Sequence, residues 1–218
     1  MKKILPTLLI SAFILGGAVV ANAAEKDASS TAKIGLQTSD DNNDPSTPIV
    51  DPDDNDGPTN DPTGDTGNLR IDYVSNIDFG TQTIGSSIKT YTAQKPSKSM
   101  LAQVSDLRGT GAGWTLQVNY DGKGFTDGDN TLKGAKLTLP TGEAATTDDN
   151  IAVDQPAATY NVSVNDSAQT IMSAAANKGL GVWGDKMDPA AVHLEVPAGN
   201  LAGNYAATLV WTLSDAPA

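Results

Sequence analysis

Short runs in which apolar and polar residues alternate, separated by clusters of Gly, Asn and Asp, fill the chain from Asn68 onward and restrict what it can fold into. Successive side chains of a strand point to opposite faces, so the run Trp114–Tyr120 puts Trp114, Leu116, Val118 and Tyr120 on one face and Thr115, Gln117 and Asn119 on the other. Tyr205, Ala207, Leu209, Trp211 and Leu213 share a face in the same way, and Val192, Leu194 and Val196 oppose His193 and Glu195. One apolar and one polar face is the signature of an antiparallel sheet with one side wet. The pattern predicts strands over Leu69–Val74, Ile88–Ala93, Leu101–Leu107, Trp114–Tyr120, Lys133–Leu139, Thr159–Val164, Val192–Val196 and Tyr205–Leu213. Asp121–Asn130 and Gly142–Asn150 read as turns or loops. Ala168–Gly181 stays open between a loop and one helical turn at Ser173–Asn177, and no long helix is predicted. The expectation is an all-β fold: a single antiparallel β-sandwich-like domain of two sheets with long loops, spanning residues 67–218.

What precedes that domain differs in kind. Met1, Lys2 and Lys3 open a basic start, Ile4 to Val20 is an almost uncharged apolar run, and Ala21-Asn22-Ala23 has the small residues that signal peptidase accepts. Residues 1–23 are therefore expected to be a cleaved leader, and the mature chain to be secreted. Residues 24–66 are expected to be a disordered acidic linker. From Ser39 to Gly67 they are Asp, Pro, Asn, Gly and Thr with almost nothing apolar to bury, and Pro45, Pro48, Pro52, Pro58 and Pro62 favour extension. Asp51, Asp53 and Asn55 begin like a calcium loop, but Asp56 stands where that loop needs Gly and Pro62 where it needs Glu. The spacer reading prevails.

The chain has no cysteine, so burial of apolar surface has to hold the domain together without disulfides. Loss of Lys2 and Lys3 with the leader reduces 14 basic residues to 12, against 26 acidic ones, for a net charge near −14. Such a balance excludes a nucleic-acid surface, which needs Lys and Arg to neutralise phosphates, and argues against general electrostatic capture by an anionic wall or membrane.

Two tripeptides stand out: Trp114-Thr115-Leu116 within GTGAGWTLQV, and Trp211-Thr212-Leu213 within ATLVWTLSDAPA. With Asn76-Ile77-Asp78-Phe79-Gly80 after the first strand and Val104-Ser105-Asp106-Leu107-Arg108-Gly109 before the first Trp, the region from Gly67 to Ala218 resembles the WxL domain of Gram-positive surface proteins. The resemblance implies non-covalent attachment to peptidoglycan or an associated wall polymer, in agreement with an ending that carries no LPxTG sorting motif. It further implies companion WxL and membrane-anchored surface proteins as partners, and, for some members, a host matrix protein.

Trp114 and Trp211 have two readings. Their rings stack on sugars of the wall glycan, or each Trp and its Leu, two residues on, point into the core. Parity favours the core, because Leu116 and Leu213 share the face of their Trp. Trp183, between Gly181 and Gly184, reads as a loop aromatic, with an exposed contact and a ring folded over the core edge equally open. Lys89, Lys95, Lys98 and Arg108 are the cations available to wall phosphates or carboxylates. Solvated lysines are the ordinary alternative, and Arg108 alternatively pairs with Asp106 or Asp78. For catalysis there is little to find: no Cys nucleophile, and in His193 a single His placed mid-strand without a Ser or metal-ligand pattern. The expectation is a binding protein with no catalytic residue, cofactor or metal.

Overall fold

The computed structural model describes residues 30–38, 48–49, 62–94, 99–147, 149–151 and 156–216. The expected leader, most of the acidic linker with its calcium-like start, and Lys95 and Lys98 lie outside these residues. The chain separates into two units, Met1–Leu36 and Gln37–Ala218. In the first, the described residues 30–36 have no regular secondary structure and are exposed, Ile34 and Leu36 among them.

The second unit is all-β and antiparallel. Its pairing forms three four-stranded sheets and a hairpin, where the sequence anticipates two sheets. In the first sheet, β1 (Leu69–Val74) pairs with β3 (Met100–Asp106), β3 with β12 (Gly181–Met187), and β12 with β8 (Glu143–Thr146). The second runs β10 (Val162–Ser163), β7 (Lys136–Leu139), β13 (His193–Val196) and β2 (Lys89–Thr92). The third runs β14 (Leu209–Ser214), β4 (Trp114–Tyr120), β11 (Gln169–Ala174) and β9 (Ala158–Thr159). A small hairpin joins β5 (Thr126–Asp127) to β6 (Asn130–Thr131).

β1 and β4 fall on the predicted bounds because one face of each carries its apolar residues. Where the prediction misses, the partner or the burial explains it. The run predicted over Thr159–Val164 is two strands, since the chain leaves β11 after Thr159 and pairs with β7 from Val162. The predicted start of the last strand, Tyr205–Thr208, is taken up elsewhere, Ala206 bridging Thr126, so β14 begins at Leu209. β8 lies in the expected 142–150 loop. β11 occupies much of the open 168–181 segment. It is buried on both faces from Ile171 to Ala174, which removes the alternation and leaves a short apolar run indistinguishable from a helical turn.

One core serves all three sheets. Met100, Ala102, Val104, Trp114, Leu116, Val118, Leu137, Ile171, Met172, Trp183, Met187 and Val192 form it, each no more than 2% exposed. Asp185 faces this core between Trp183 and Met187 and is itself 0% exposed. Neither of its carboxylate oxygens has a hydrogen-bond partner among the described residues. The nearby Gly142 amide favours the anion, but burial outweighs it and pushes the carboxyl up to about 7.

Candidate functional site

The pairing of β4 with β14 brings the two WxL tripeptides side by side. Leu116 lies opposite Leu213, Val118 opposite Trp211 and Tyr120 opposite Leu209. Because Trp211 lies opposite Val118, the two indoles are four positions apart, or about 13 Å along the strands. They cannot clasp one sugar ring between them.

Their surroundings differ more than their sequence. Trp114 is on the inner of the two strands and is 0% exposed. Its Nε1 donates to the Gly179 carbonyl at 3.0 Å. Gly179 is required there: its φ is +64°, and a Cβ would come 2.3 Å from the Ala174 Cβ and 2.9 Å from the Trp114 Nε1. Trp211 is on β14, the edge strand of the sheet, and is half-buried. Leu209 and Leu213 are half-buried with it. The parity argument for the core therefore describes Trp114 and Leu116 fully, and Trp211 and Leu213 in part.

The half-covered face of β14 forms one wall of an open cleft of about 930 Å³. Leu137 and Leu194 form its floor, the segment from Ser75 to Gly85 the opposite side, and Tyr91, Phe125, Tyr205 and Trp211 contribute the aromatic surface. Asp78 is the one charged residue among the lining residues, and its carboxylate already accepts from the Gly80 amide at 2.7 Å. The rest of the polar lining is hydroxyl and amide. Both flanking loops are braced from within. Tyr91 Oη donates to the Thr83 carbonyl at 3.2 Å, and Gln82 Nε2 to the Phe79 carbonyl at 2.7 Å. On the other loop, Asn200 Oδ1 accepts from the Lys133 amide at 2.7 Å while its Nδ2 donates to the Lys133 and Pro197 carbonyls. Asp127 receives the Asn204 amide at 2.9 Å. Tyr120 and Phe125 meet edge to face, centroids 6.0 Å apart, and set the Phe125 ring.

Other candidate residues are placed differently from the sequence reading. Trp183 is not on a loop: it lies within β12, paired with Val104 and Thr146, is 1% exposed and donates to the Leu180 carbonyl. Its ring is core, because the flanking glycines belong to a strand packed on both faces. Arg108 is committed to structure, gripping Asp106 through Nε at 2.9 Å and Nη2 at 2.8 Å and donating to the Gly113 carbonyl just before Trp114. The hydrogen bond to Asp106 raises its already high pKa. Of the four cations, Lys89 is an exposed side chain on the edge strand β2.

Tyr91, Phe125 and Tyr205 were not legible as site residues. Phe125 sits in a stretch that reads as a turn, and the three converge only through the packing of β2, the hairpin and the 197–208 segment. Among the described residues, no group of three His, Asp or Glu side chains is placed to hold a metal.

The domain is thus an antiparallel β fold with a braced, nearly uncharged aromatic cleft. The model of the WxL family, surface domains that bind the cell wall, matches residues 23–217, and the chain belongs to that family. It is a protein of the cell surface, and the cell wall is what its domain binds. No curated protein and no solved structure matches the chain.

Proposed function

We propose that the chain is a non-enzymatic surface protein that attaches non-covalently to peptidoglycan, and that the cleft beside Trp211 receives the glycan. The observation that carries this is the asymmetry of the two tripeptides: Trp114 is sealed in the core while Trp211 lines an open groove with Tyr91 and Tyr205. Sugar rings offer apolar faces and hydroxyls, which suit aromatic walls with an amide and hydroxyl rim. A cleft with Asp78 as its one charged lining residue fits a chain of net charge −12, which polyanionic wall polymers repel. Lys89, Lys95 and Lys98 are secondary contacts in this reading.

A second reading has the domain dock on a companion WxL or membrane-anchored surface protein, or act as an adhesin for a host matrix protein. Here β14 supports it as an edge strand with Val210 39% exposed, since an unpaired edge invites strand addition. Co-sedimentation of residues 24–218 with protein-free sacculi separates the two. Direct attachment predicts that the protein pellets with sacculi alone, and at least as well after teichoic acid is removed. A chain left in the supernatant until a companion protein is restored overturns the peptidoglycan reading.

A further inference from the structure

β3 is buried along its whole length, although only alternate residues face the common core. Met100, Ala102 and Val104 belong to that core, so Leu101, Gln103 and Ser105 face the opposite side of the sheet. All three are 0% exposed. On the same side, Ser105 Oγ donates to Asp72 Oδ2 at 2.5 Å, Gln103 Nε2 donates to the same oxygen at 3.3 Å, and Arg70 Nε donates to Asp72 Oδ1 at 2.7 Å. Gly184 lies directly across from Gln103 in the β3–β12 pairing and leaves a gap where every other residue would place a side chain. Ile49 sits over that gap. A Cβ at Gly184 would come 3.1 Å from the Ile49 Cδ1 and 2.8 Å from the Leu101 Cδ1, and the Ile49 amide donates to the Gln103 Oε1 at 2.9 Å.

Ile49 is one of the two aliphatic side chains in the acidic stretch from Ser39 to Gly67, Val50 being the other. Further along, the Thr63 amide donates to the Asp72 carbonyl at 2.9 Å, Pro62 bridges Tyr73, and Asp65 Oδ2 accepts the Ile71 amide at 3.0 Å, so residues 62–65 run along β1.

We propose that the outer face of the β1-β3-β12-β8 sheet is a docking site for an extended peptide carrying one β-branched aliphatic side chain, and that its occupant is the chain's own acidic stretch, pinned at Ile49. Gly184 supplies the socket for the aliphatic side chain and the Gln103 amide oxygen reads the peptide main chain. Ile49 is then held against the domain instead of belonging to a free spacer. This is independent of where the wall polymer binds.

Hydrogen exchange on the full mature chain tests it. The Ile49 amide should exchange at least about tenfold more slowly than an unprotected amide, while the exposed Leu36 amide exchanges freely. Gly184→Ala, which crowds the socket, should release Ile49 and leave the Val104 amide of the core protected. Should Gly184→Ala loosen Val104 as well, Ile49→Asp decides, because Ile49 is outside the core and its loss should free the amide at position 49 alone. Free exchange at Ile49 in the unmodified protein, or retained protection at position 49 in Ile49→Asp with Val104 intact, overturns the proposal.

Discussion

Asp185→Asn should stabilise the domain at neutral and alkaline pH and lose that advantage in acid. The native carboxyl is raised from 3.8 to about 7 because it is buried. Between those values the unfolded chain has released its proton and the folded chain has kept it, so folding takes up a proton and stability falls as pH rises. Three units at about 1.4 kcal/mol each put the total on the order of 4 kcal/mol, present as a penalty above pH 7 and absent below about pH 4. Asparagine has the same shape and no charge, at a cost of about 1–3 kcal/mol for its own unpaired amide. The difference between variant and wild type should therefore grow in the variant's favour by roughly 3 kcal/mol from pH 4.5 to pH 8. The chain's many other carboxylates titrate in both proteins and cancel. Urea unfolding followed by tryptophan fluorescence at pH 4.5, 6 and 8 measures it. Parallel stability profiles for the two proteins would show that the Asp185 carboxylate is not held protonated in the fold.

Trp114→Ala should cost about 3–5 kcal/mol by cavity formation, with the Gly179 carbonyl left unpaired, and abolish wall binding by unfolding; circular dichroism and a binding assay on the same sample will show both losses together. Gly179→Ala should destabilise the same site with the indole still present, since its new Cβ would collide with the Trp114 ring and with Ala174, and thermal denaturation reads the effect. Arg108→Ala strands the fully buried Asp106 and should cost toward the low end of roughly 3–5 kcal/mol, because the Arg side chain is 18% exposed. Denaturant midpoints will place it; a loss of wall binding with stability unchanged would mean that Arg108 contacts the wall after all.

How much of this was readable from sequence depends on where each strand sits. β1 and β4 were legible with their bounds because apolar and polar residues alternate along them, although Arg70 and Asp72 of β1 are themselves buried. β11 and β12 were not, since strands packed on both faces lose the alternation, and the glycines and charges of β12 imitate a loop. Gly184 and Asp185 are unusual in a strand interior for local reasons, a socket for Ile49 in one case and a carboxyl turned into the core in the other. The WxL tripeptides announced the family, yet identical spacing hid opposite environments, because whether a strand lies inside a sheet or at its edge is decided by partners distant in sequence. The cleft was invisible for the same reason: the 75–85 loop, Phe125 and the 197–211 segment meet only in the folded chain.

The claim at the centre of this account is that the wall polymer sits against Trp211. Trp211→Ala removes a half-buried ring from an edge strand, so the domain should stay folded at a cost of about 1–3 kcal/mol. The decisive measurement is the dissociation constant of that variant for protein-free sacculi, beside Val210→Asp, which alters the neighbouring side chain on the opposite face of the strand. The account predicts at least a tenfold loss for folded Trp211→Ala and near wild-type binding for Val210→Asp. Wild-type affinity in the folded Trp211→Ala protein would contradict it.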